Sequence, residues 1–548
     1  MTKKKILVGV AWPYVNGDLH VGHLAGYLFP ADTYARFHRF CGNDVLMVSG
    51  SDCFGTPITV EADKRGITPT QLIEEYHPKT VDLFRLLKLT FDNYTKTATD
   101  HHKKITQDFL VTFINKDLII KNKTQQYFSP QENRFLPDRY VEGTCPFCGA
   151  VDARSDQCDN CGSPIAEGKL ITPLSKNTKT PVELRETEHY FIDWPKIQPF
   201  LEDYFKKYSA EWRPWIKSET AKWLKEGLQP RAITRDLEWG VEIPADRIPA
   251  DKLIDNHTTK RIYVWFDAVI GYYSASLEWA QAAPGRSWED FWLDETSTHA
   301  YFMGKDNLVF HTLFWPGQLH VFNEKLHLPD LPAINQYLTL AGDKFSKSRG
   351  VTVDSREIVE QYGLDIVRFY LISISPENAD TSFTWEDFAT KTNSILNANI
   401  GNFVNRSLKL SETVDFSGST KIEDETIEVI KQHLSKAHEH FSRSENKDAL
   451  ETGVALSALG NKYITAKAPW SIKDRASPEF RDAMANCLAY IIGVSIVLKP
   501  IVPDAIEKLY QMLGIQIESW SVDTADSIIK KKKKVKINNP APLFSRVE

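Results

Sequence analysis

Residues 6–11, ILVGVA, form a continuous apolar run, which marks a strand buried on both faces. Pro13 and Gly17 then punctuate a turn, a helical pattern runs over residues 21–40, and residues 45–49 read as a second strand. A strand, a helix and a strand in that order predict a βαβ unit, and with it an α/β fold built on a doubly wound, Rossmann-like parallel sheet. The pattern breaks near residue 122, and the chain up to about 229 is rich in turn formers. Buried-strand signals return at 262–266 and 300–303, so the economical reading is one sheet interrupted by an inserted domain. Beyond residue 348 the character changes to long helical stretches at 355–374, 388–410 and 448–464, which predict a C-terminal helical bundle.

Composition narrows the class. At 548 residues the chain suggests three to four domains, and 42% hydrophobic with 25% charged residues is ordinary for a globular protein that buries sizeable cores. The longest apolar runs are too short or too interrupted to suggest a bilayer span, and MTKKK leads straight into a strand with no cleavage-site pattern. A cytoplasmic location and no membrane partner are therefore expected. The net charge of −6 gives no whole-molecule hint of nucleic acid, although local clustering of Lys and Arg matters more than their sum. Four of the seven cysteines fall in one short segment, which favours metal over disulfide in a reducing compartment.

Candidate chemistry begins with His20-Val21-Gly22-His23, one short turn after the first strand and at the start of a helix. A helix N-terminus offers unpaired N–H groups and partial positive charge, Gly22 lets a nucleotide approach the backbone, and imidazoles three apart share a face. From the His and Gly content, H-x-G-H is expected by chance roughly 0.02 times in such a chain. A pair of surface or capping histidines would give the same letters. The second element is Lys344-Phe345-Ser346-Lys347-Ser348, between Gly342 and Gly350. Two lysines on a glycine-hinged loop can close over a triphosphate, and a solvated turn is the bland alternative.

Together the two motifs resemble the HIGH and KMSKS signatures of class I aminoacyl-tRNA synthetases, with Val21 and Phe345 as conservative departures. The resemblance implies in-line attack of an amino-acid carboxylate on the α-phosphate of ATP. His20, His23, Lys344 and Lys347 would stabilise the developing charge, and positioning and electrostatics would supply the catalysis. Mg²⁺ is expected with ATP, though no carboxylate pair for it stands out.

AWPYVNGDLHVGH, LPDRYVEGTCPFCG, YVWFDAVIGY, FMGKDNLVFHTLFWP, GDKFSKSRG and AKAPW resemble the methionyl branch of that class, over residues 10 to 470. This implies L-methionine and tRNA(Met) as further substrates. Trp12, Tyr14, Trp265, Ala268, Tyr272 and His311 would wall the methionine pocket, Asp52 would hold the substrate ammonium, and Gly22, Gly304 and Asp306 would lie against ATP. A polarisable aromatic surround suits a thioether, at ~0.3–1.5 kcal/mol per sulfur–aromatic contact. For Trp265 and Tyr272 core packing is the competing reading. Two departures bear on pocket shape: Val269 stands where proline is common in the family, and Asn307 where some members carry an aliphatic residue. Leucyl, isoleucyl and valyl relatives usually carry a far larger insertion. Cysteinyl relatives bind zinc in the amino-acid pocket through scattered ligands.

Cys145-x-x-Cys148 and Cys158-x-x-Cys161 can present four thiolates tetrahedrally, the closed geometry of one structural Zn²⁺. A dithiol–disulfide role or an iron–sulfur cluster remains open on spacing alone. Asn402 and Arg406 are four apart on a helical face, and Trp470 lies beside Pro469; spacing alone fits an ordinary amphipathic helix. By resemblance these three read the anticodon. The division expected is a catalytic domain at 1–121 and 230–354, a connective insertion with a zinc knuckle at 122–229, a linking stem at 355–390, an anticodon-binding bundle at 391–520 and an extension at 521–548. The basic run at 530–536 reads as a solvated face, with an RNA contact as the alternative. Shorter nucleotidylyltransferases share H-x-G-H, and a non-catalytic RNA-binding relative could share the fold; the helical third argues against the first, and intact His20, His23 and Lys347 against the second. A monomer is expected.

Overall fold

The computed structural model describes residues 3–155, 158, 160–161, 163, 165, 168–340, 343–344, 352–412, 414, 420–521 and 537–547. Lys347 and the basic run 530–536 lie outside the described residues. Five parallel strands, β1 (Lys5–Val10), β2 (Asp44–Ser51), β3 (Asn93–Lys96), β4 (Thr298–Gly304) and β5 (Leu331–Asn335), form one sheet in the order β5-β4-β1-β2-β3. Alternate side chains of each strand enter two different cores. Ile6, Val8, Val10, Ala300 and Phe302 join one, and Leu7, Leu46, Val48, Tyr301 and Met303 join the other. That is why the strands read as unbroken apolar runs: neither face sees water. The first face packs the helix Phe29–Phe40 and the second the helices Asp100–Asn115 and Val264–Gln281. The sheet is doubly wound.

The strand expected at 262–266 is corrected. A short strand, Lys260–Ile262, lies in a small antiparallel sheet between Thr234–Asp236 and Val241–Glu242, and from Val264 the chain is helical to Gln281. A short apolar run does not distinguish a buried strand from a core helix. Asp267 in the first turn was the available helix-start signal; Tyr263 at the N-cap makes no side-chain cap. The stretch 355–374 is two helices, Ser355–Tyr362 and Leu364–Ser373, separated by Gly363, whose φ of +87° breaks the α conformation. The stretch 388–410 is spanned end to end by Trp385–Lys391, a π-helical segment Thr392–Gly401 and Asn402–Ser411.

Between β3 and β4 the chain also builds a long antiparallel pair, Ile119–Ser129 with Glu183–Ile192. Beside it a three-stranded sheet carries the cysteine pairs and has its own small core around Tyr127, Tyr140 and Val141. The C-terminal helices Asp424–Ser442, Asn446–Lys467, Pro478–Leu498 and Pro503–Leu513 form the bundle. Pro478–Leu498 is long and apolar enough to cross a membrane, but it is the bundle's central helix and 89% of its most apolar window is buried within the fold. Bundle and sheet share one continuous core. Buried Arg368 fastens them: its guanidinium donates to Asp32 at 2.7 Å and to the carbonyls of Pro500 and Ile501 at 3.1 and 2.8 Å. Burial alone would raise the Asp32 carboxyl, yet Arg368 and Arg36 hold it down at about 2.

Candidate active site

A cavity of about 570 Å³ opens at the C-terminal ends of β1, β2, β4 and β5, where strand order reverses between β1 and β4. This is the crevice in which doubly wound sheets bind their ligands. Among its lining residues are Trp12, Tyr14, His20, Gly22, His23, Asp52, Trp265, Ala268, Tyr272, Gly304, Asp306 and His311, so residues spread over 300 positions of sequence meet in one space. The sequence reading missed Tyr27, Gln336, Tyr337 and Leu338 on the same wall. Their available signal was position: 336–338 directly follows a buried strand, at its C-terminal end.

The helix start is built by its two histidines. His20 is the N-cap, and its Nδ1 accepts the Gly22 N–H at 3.1 Å; the Nδ1 of His23 accepts the His20 N–H at 3.2 Å. A backbone N–H can only donate, so both rings accept at Nδ1, and in the neutral ring the proton sits on Nε2. The ring centroids lie 4.0 Å apart. The capping reading and the ligand reading are therefore compatible, because one nitrogen of each ring does the capping.

The residues that flank the lysine motif are tied, on one side to a strand that runs on from the cavity wall, on the other to this turn. The backbone of Lys344 lies in a two-residue strand, Asp343–Lys344, that pairs with Leu338–Leu340, and Leu338 lines the cavity. On the far side the Val21 N–H donates to the Val353 carbonyl at 3.1 Å, and His20 and Asp354 form an antiparallel bridge. Asp354 also caps the following helix through the N–H groups of Arg356 and Glu357. Phe345, Ser346, Lys347 and Ser348 lie outside the described residues.

The opposite end of the cavity is aromatic. Trp12 lies flat against the backbone at Gly50 and Gly271, where an added Cβ would fall 2.2 and 2.5 Å from its ring atoms, so only glycine fits at either place. Trp265 stacks on Phe310 at 4.3 Å between centroids. His311 donates from Nδ1 to the Asn307 carbonyl at 2.9 Å, which leaves Nε2 to accept the Tyr272 hydroxyl at 2.8 Å. Burial pushes the imidazole down to about 4 and the phenol well up, so both are neutral and the hydrogen bond has a fixed direction. Asp52 is tied in by its N–H, which donates to the Pro13 carbonyl at 2.9 Å, and its buried carboxyl is raised well above the usual range by desolvation and then by the charge of Asp267. Asp306 accepts from the Tyr337 hydroxyl.

The cysteines converge. The Sγ atoms of Cys145 and Cys161 lie 3.8 Å apart, those of Cys148 and Cys158 lie 3.6 Å apart, and all four fit within 4.8 Å. A tetrahedron of thiolates ~2.3 Å from a central zinc has edges of ~3.8 Å, whereas a disulfide would need ~2.05 Å. Gly149 takes the positive φ of +76° that its tight turn requires. The Phe147 N–H points to the Cys145 sulfur at 3.4 Å. The group can hold a metal ion.

In the bundle, exposed Asn402 opens the helix Asn402–Ser411, and Arg406 follows one turn later. The Arg406 guanidinium lies 5.0 Å from the ring of Trp470, which is 50% exposed beyond a helix that ends at Lys467.

The comparisons agree in kind. Residues 6–408 match the family model described as tRNA synthetases class I (M), and residues 416–548 match the anticodon binding domain of methionyl tRNA ligase. The methionine–tRNA ligase of Cutibacterium acnes is 39% identical over 530 residues, covering 93% of this chain and 86% of its own. That of Roseiflexus castenholzii is 42% identical over 523 residues, covering 93% and 87%. The solved structure of Mycobacterium tuberculosis methionyl-tRNA synthetase in complex with methionyl-adenylate shares the fold, with a TM-score of 0.78 at 23% identity over 99% of this chain and 100% of that one.

Proposed function

The chain belongs to the methionyl-tRNA synthetase family of class I, a ligase that joins methionine to its tRNA, and from that premise we propose how its residues divide the work. L-Methionine lies against Trp12, Tyr14, Trp265, Ala268, Tyr272 and His311, with its ammonium on Asp52. ATP lies along Gly22, Gly304 and Asp306, and its phosphates reach the Nε2 atoms of His20 and His23. The Tyr272 hydroxyl is committed to His311, so the floor of the amino-acid pocket presents few free donors to a side chain; that favours a thioether over a hydroxylated chain. Lys344 and Lys347 complete the charge stabilisation as pyrophosphate leaves. Mg²⁺ arrives with the nucleotide. Cys145, Cys148, Cys158 and Cys161 hold one structural Zn²⁺. The proposed working unit is a monomer.

The single observation that carries the catalytic reading is that the chain just after the lysine motif, Val353–Asp354, is bonded to the His20–His23 turn, on one cavity that also holds Asp52. Exchange of labelled pyrophosphate into ATP tests it. Exchange should require methionine and be negligible with leucine or cysteine; exchange with either of those alone would overturn the reading.

Asn402, Arg406 and Trp470 are proposed to read the anticodon, the tryptophan as a stacking platform and the other two through base edges. One base stack is worth ~1–3 kcal/mol, so Trp470→Ala should lower kcat/KM for tRNA roughly 5- to 150-fold. Pyrophosphate exchange should stay unchanged. Equal losses in the two assays would refute the assignment.

A further inference from the structure

Pro30 stands inside the helical run that begins at His20, and a distant strand fills the gap it leaves. A proline has no N–H, so position 30 cannot serve the Gly26 carbonyl four residues back or the Ala25 carbonyl five back. Its ring also crowds the carbonyl of residue 26. The chain answers with a π-helical turn, Leu24–Leu28, in which the Phe29 N–H reaches back five residues to the Leu24 carbonyl. All five residues of the turn are buried, so a carbonyl short of a donor there has no water to replace it.

Asn335, the buried last residue of β5, supplies that donor. Its Nδ2 donates to the Gly26 carbonyl at 2.8 Å and lies 3.5 Å from the carbonyl of Ala25. The direction of the amide is set from its other side. The Arg213 Nη1 donates to the Asn335 Oδ1 at 2.6 Å, and a guanidinium only donates, so the amide oxygen faces Arg213 and the nitrogen faces the helix. Arg213 is itself held by three carbonyls, those of Ile334 at 2.8 Å, Glu377 at 3.1 Å and Ser444 at 2.8 Å. They belong to β5, to the chain beyond Leu364–Ser373, and to the turn between the bundle helices Asp424–Ser442 and Asn446–Lys467.

The π-turn follows His23 directly. Gly26 and Tyr27 line the catalytic cavity, and the Tyr27 ring meets that of His23 edge-on at 6.1 Å between centroids. One residue more or fewer in a turn rotates the helix before it by about 100° against the helix after it. The helix Phe29–Phe40 is packed in the core, so the part whose direction depends on the turn is His20–His23. We propose that Asn335 and Arg213 are positioning residues for adenylate formation: Arg213 fixes the Asn335 amide, the amide locks the π-turn, and the turn aims His23 at the nucleotide. The proposal rests on the reading of His23 as a phosphate donor. Both residues act through the helix, without touching ATP or methionine.

Asn335→Ser removes both ends of the amide without adding charge. It is expected to lower kcat for methionine-dependent pyrophosphate exchange about 10- to 100-fold, the scale of a misplaced catalytic group, with KM for ATP and methionine within about twofold of native. A kcat within about threefold of native in the folded variant overturns the proposal. Gln336, Tyr337 and Leu338 continue from Asn335 along the cavity wall, so a double-mutant cycle must separate a disturbed wall from a misdirected histidine. If Asn335 works through His23, Asn335→Ser should cost less than about threefold in a His23→Ala chain, whereas independent losses multiply. Multiplied losses overturn the proposal. Should Asn335→Ser not fold, Arg213→Lys enters the same cycle, because a point ammonium does not reproduce the planar fork. A kcat loss of about fivefold or more is then expected, and it should vanish in the His23→Ala chain; no loss, or a multiplied one, overturns the proposal there too. His23→Ala alone at nearly the native rate would remove the phosphate reading and this proposal with it. A large His23→Ala loss with multiplied double-variant losses removes only the roles of Asn335 and Arg213.

Discussion

Replacing His23 with Ala is expected to lower methionine-dependent pyrophosphate exchange about 10²- to 10³-fold, mainly in kcat, with little change in KM for ATP. The magnitude is that of removing one preorganised donor aimed at charge that develops in the transition state. The case for preorganisation is geometric. The His23 Nδ1 is fixed by the His20 N–H at 3.2 Å, so the ring enters the reaction already oriented, with its proton on Nε2. Folding should survive, because His23 is a partly exposed residue of a long helix and the cap acceptor that satisfies Gly22 belongs to His20. His20→Ala should add a stability loss of about 0.5–2 kcal/mol, the ordinary worth of an N-cap, and His20→Asn should recover that stability without recovering full exchange. Exchange within threefold of the native rate in His23→Ala, measured on folded protein, would remove this histidine from the chemistry.

The legible parts of the sequence were those where local chemistry and fold coincide. β1, β2 and β4 were readable because strands buried on both faces are apolar without interruption. His20, Gly22 and His23 were legible as one helix start on the cavity because their spacing comes directly after a strand. The cysteine pairs were readable because tetrahedral thiolate geometry forces it. What stayed hidden depends on contacts between distant residues. Gly50 and Gly271 look like incidental glycines in a strand and a helix, and only the ring of Trp12 lying against both backbones explains them. Asp267 looks like a solvent-facing helix-start carboxylate, and only the fold buries it, with the His102 Nε2 3.6 Å away. The helix from Val264 was misread as a strand for a related reason. Its apolar residues face core almost all round, so neither period 2 nor period 3.6 survives in the five residues 262–266.

Cys158→Ser is expected to have the second large effect, and on a different half-reaction. Cys158 and Cys145 are buried in the small core with Tyr127, Tyr140 and Val141, whereas Cys148 and Cys161 are exposed, so the metal would close the core from its open side. Among the described residues only nine are buried in this core, a weak core on its own, and structural zinc contributes ~10–16 kcal/mol in comparably small folds. Losing one of four thiolates should therefore unfold the cysteine-bearing sheet. Bound zinc should fall from about one per chain to less than a tenth, and protease should cut between residues 141 and 175. The two large cores on the sheet faces do not include these residues, so pyrophosphate exchange should fall only a few-fold. We propose that the tRNA acceptor end approaches over the insertion, so charging of tRNA should fall at least tenfold. The hydrogen bond of the Tyr140 hydroxyl to Asp63 at 2.7 Å ties the cysteine-bearing sheet to the helix Thr56–Arg65 just beyond Asp52, which accounts for the residual effect expected on exchange. Iron with visible absorbance in place of zinc would replace the metal assignment, and full zinc occupancy in Cys158→Ser would sink the four-thiolate site.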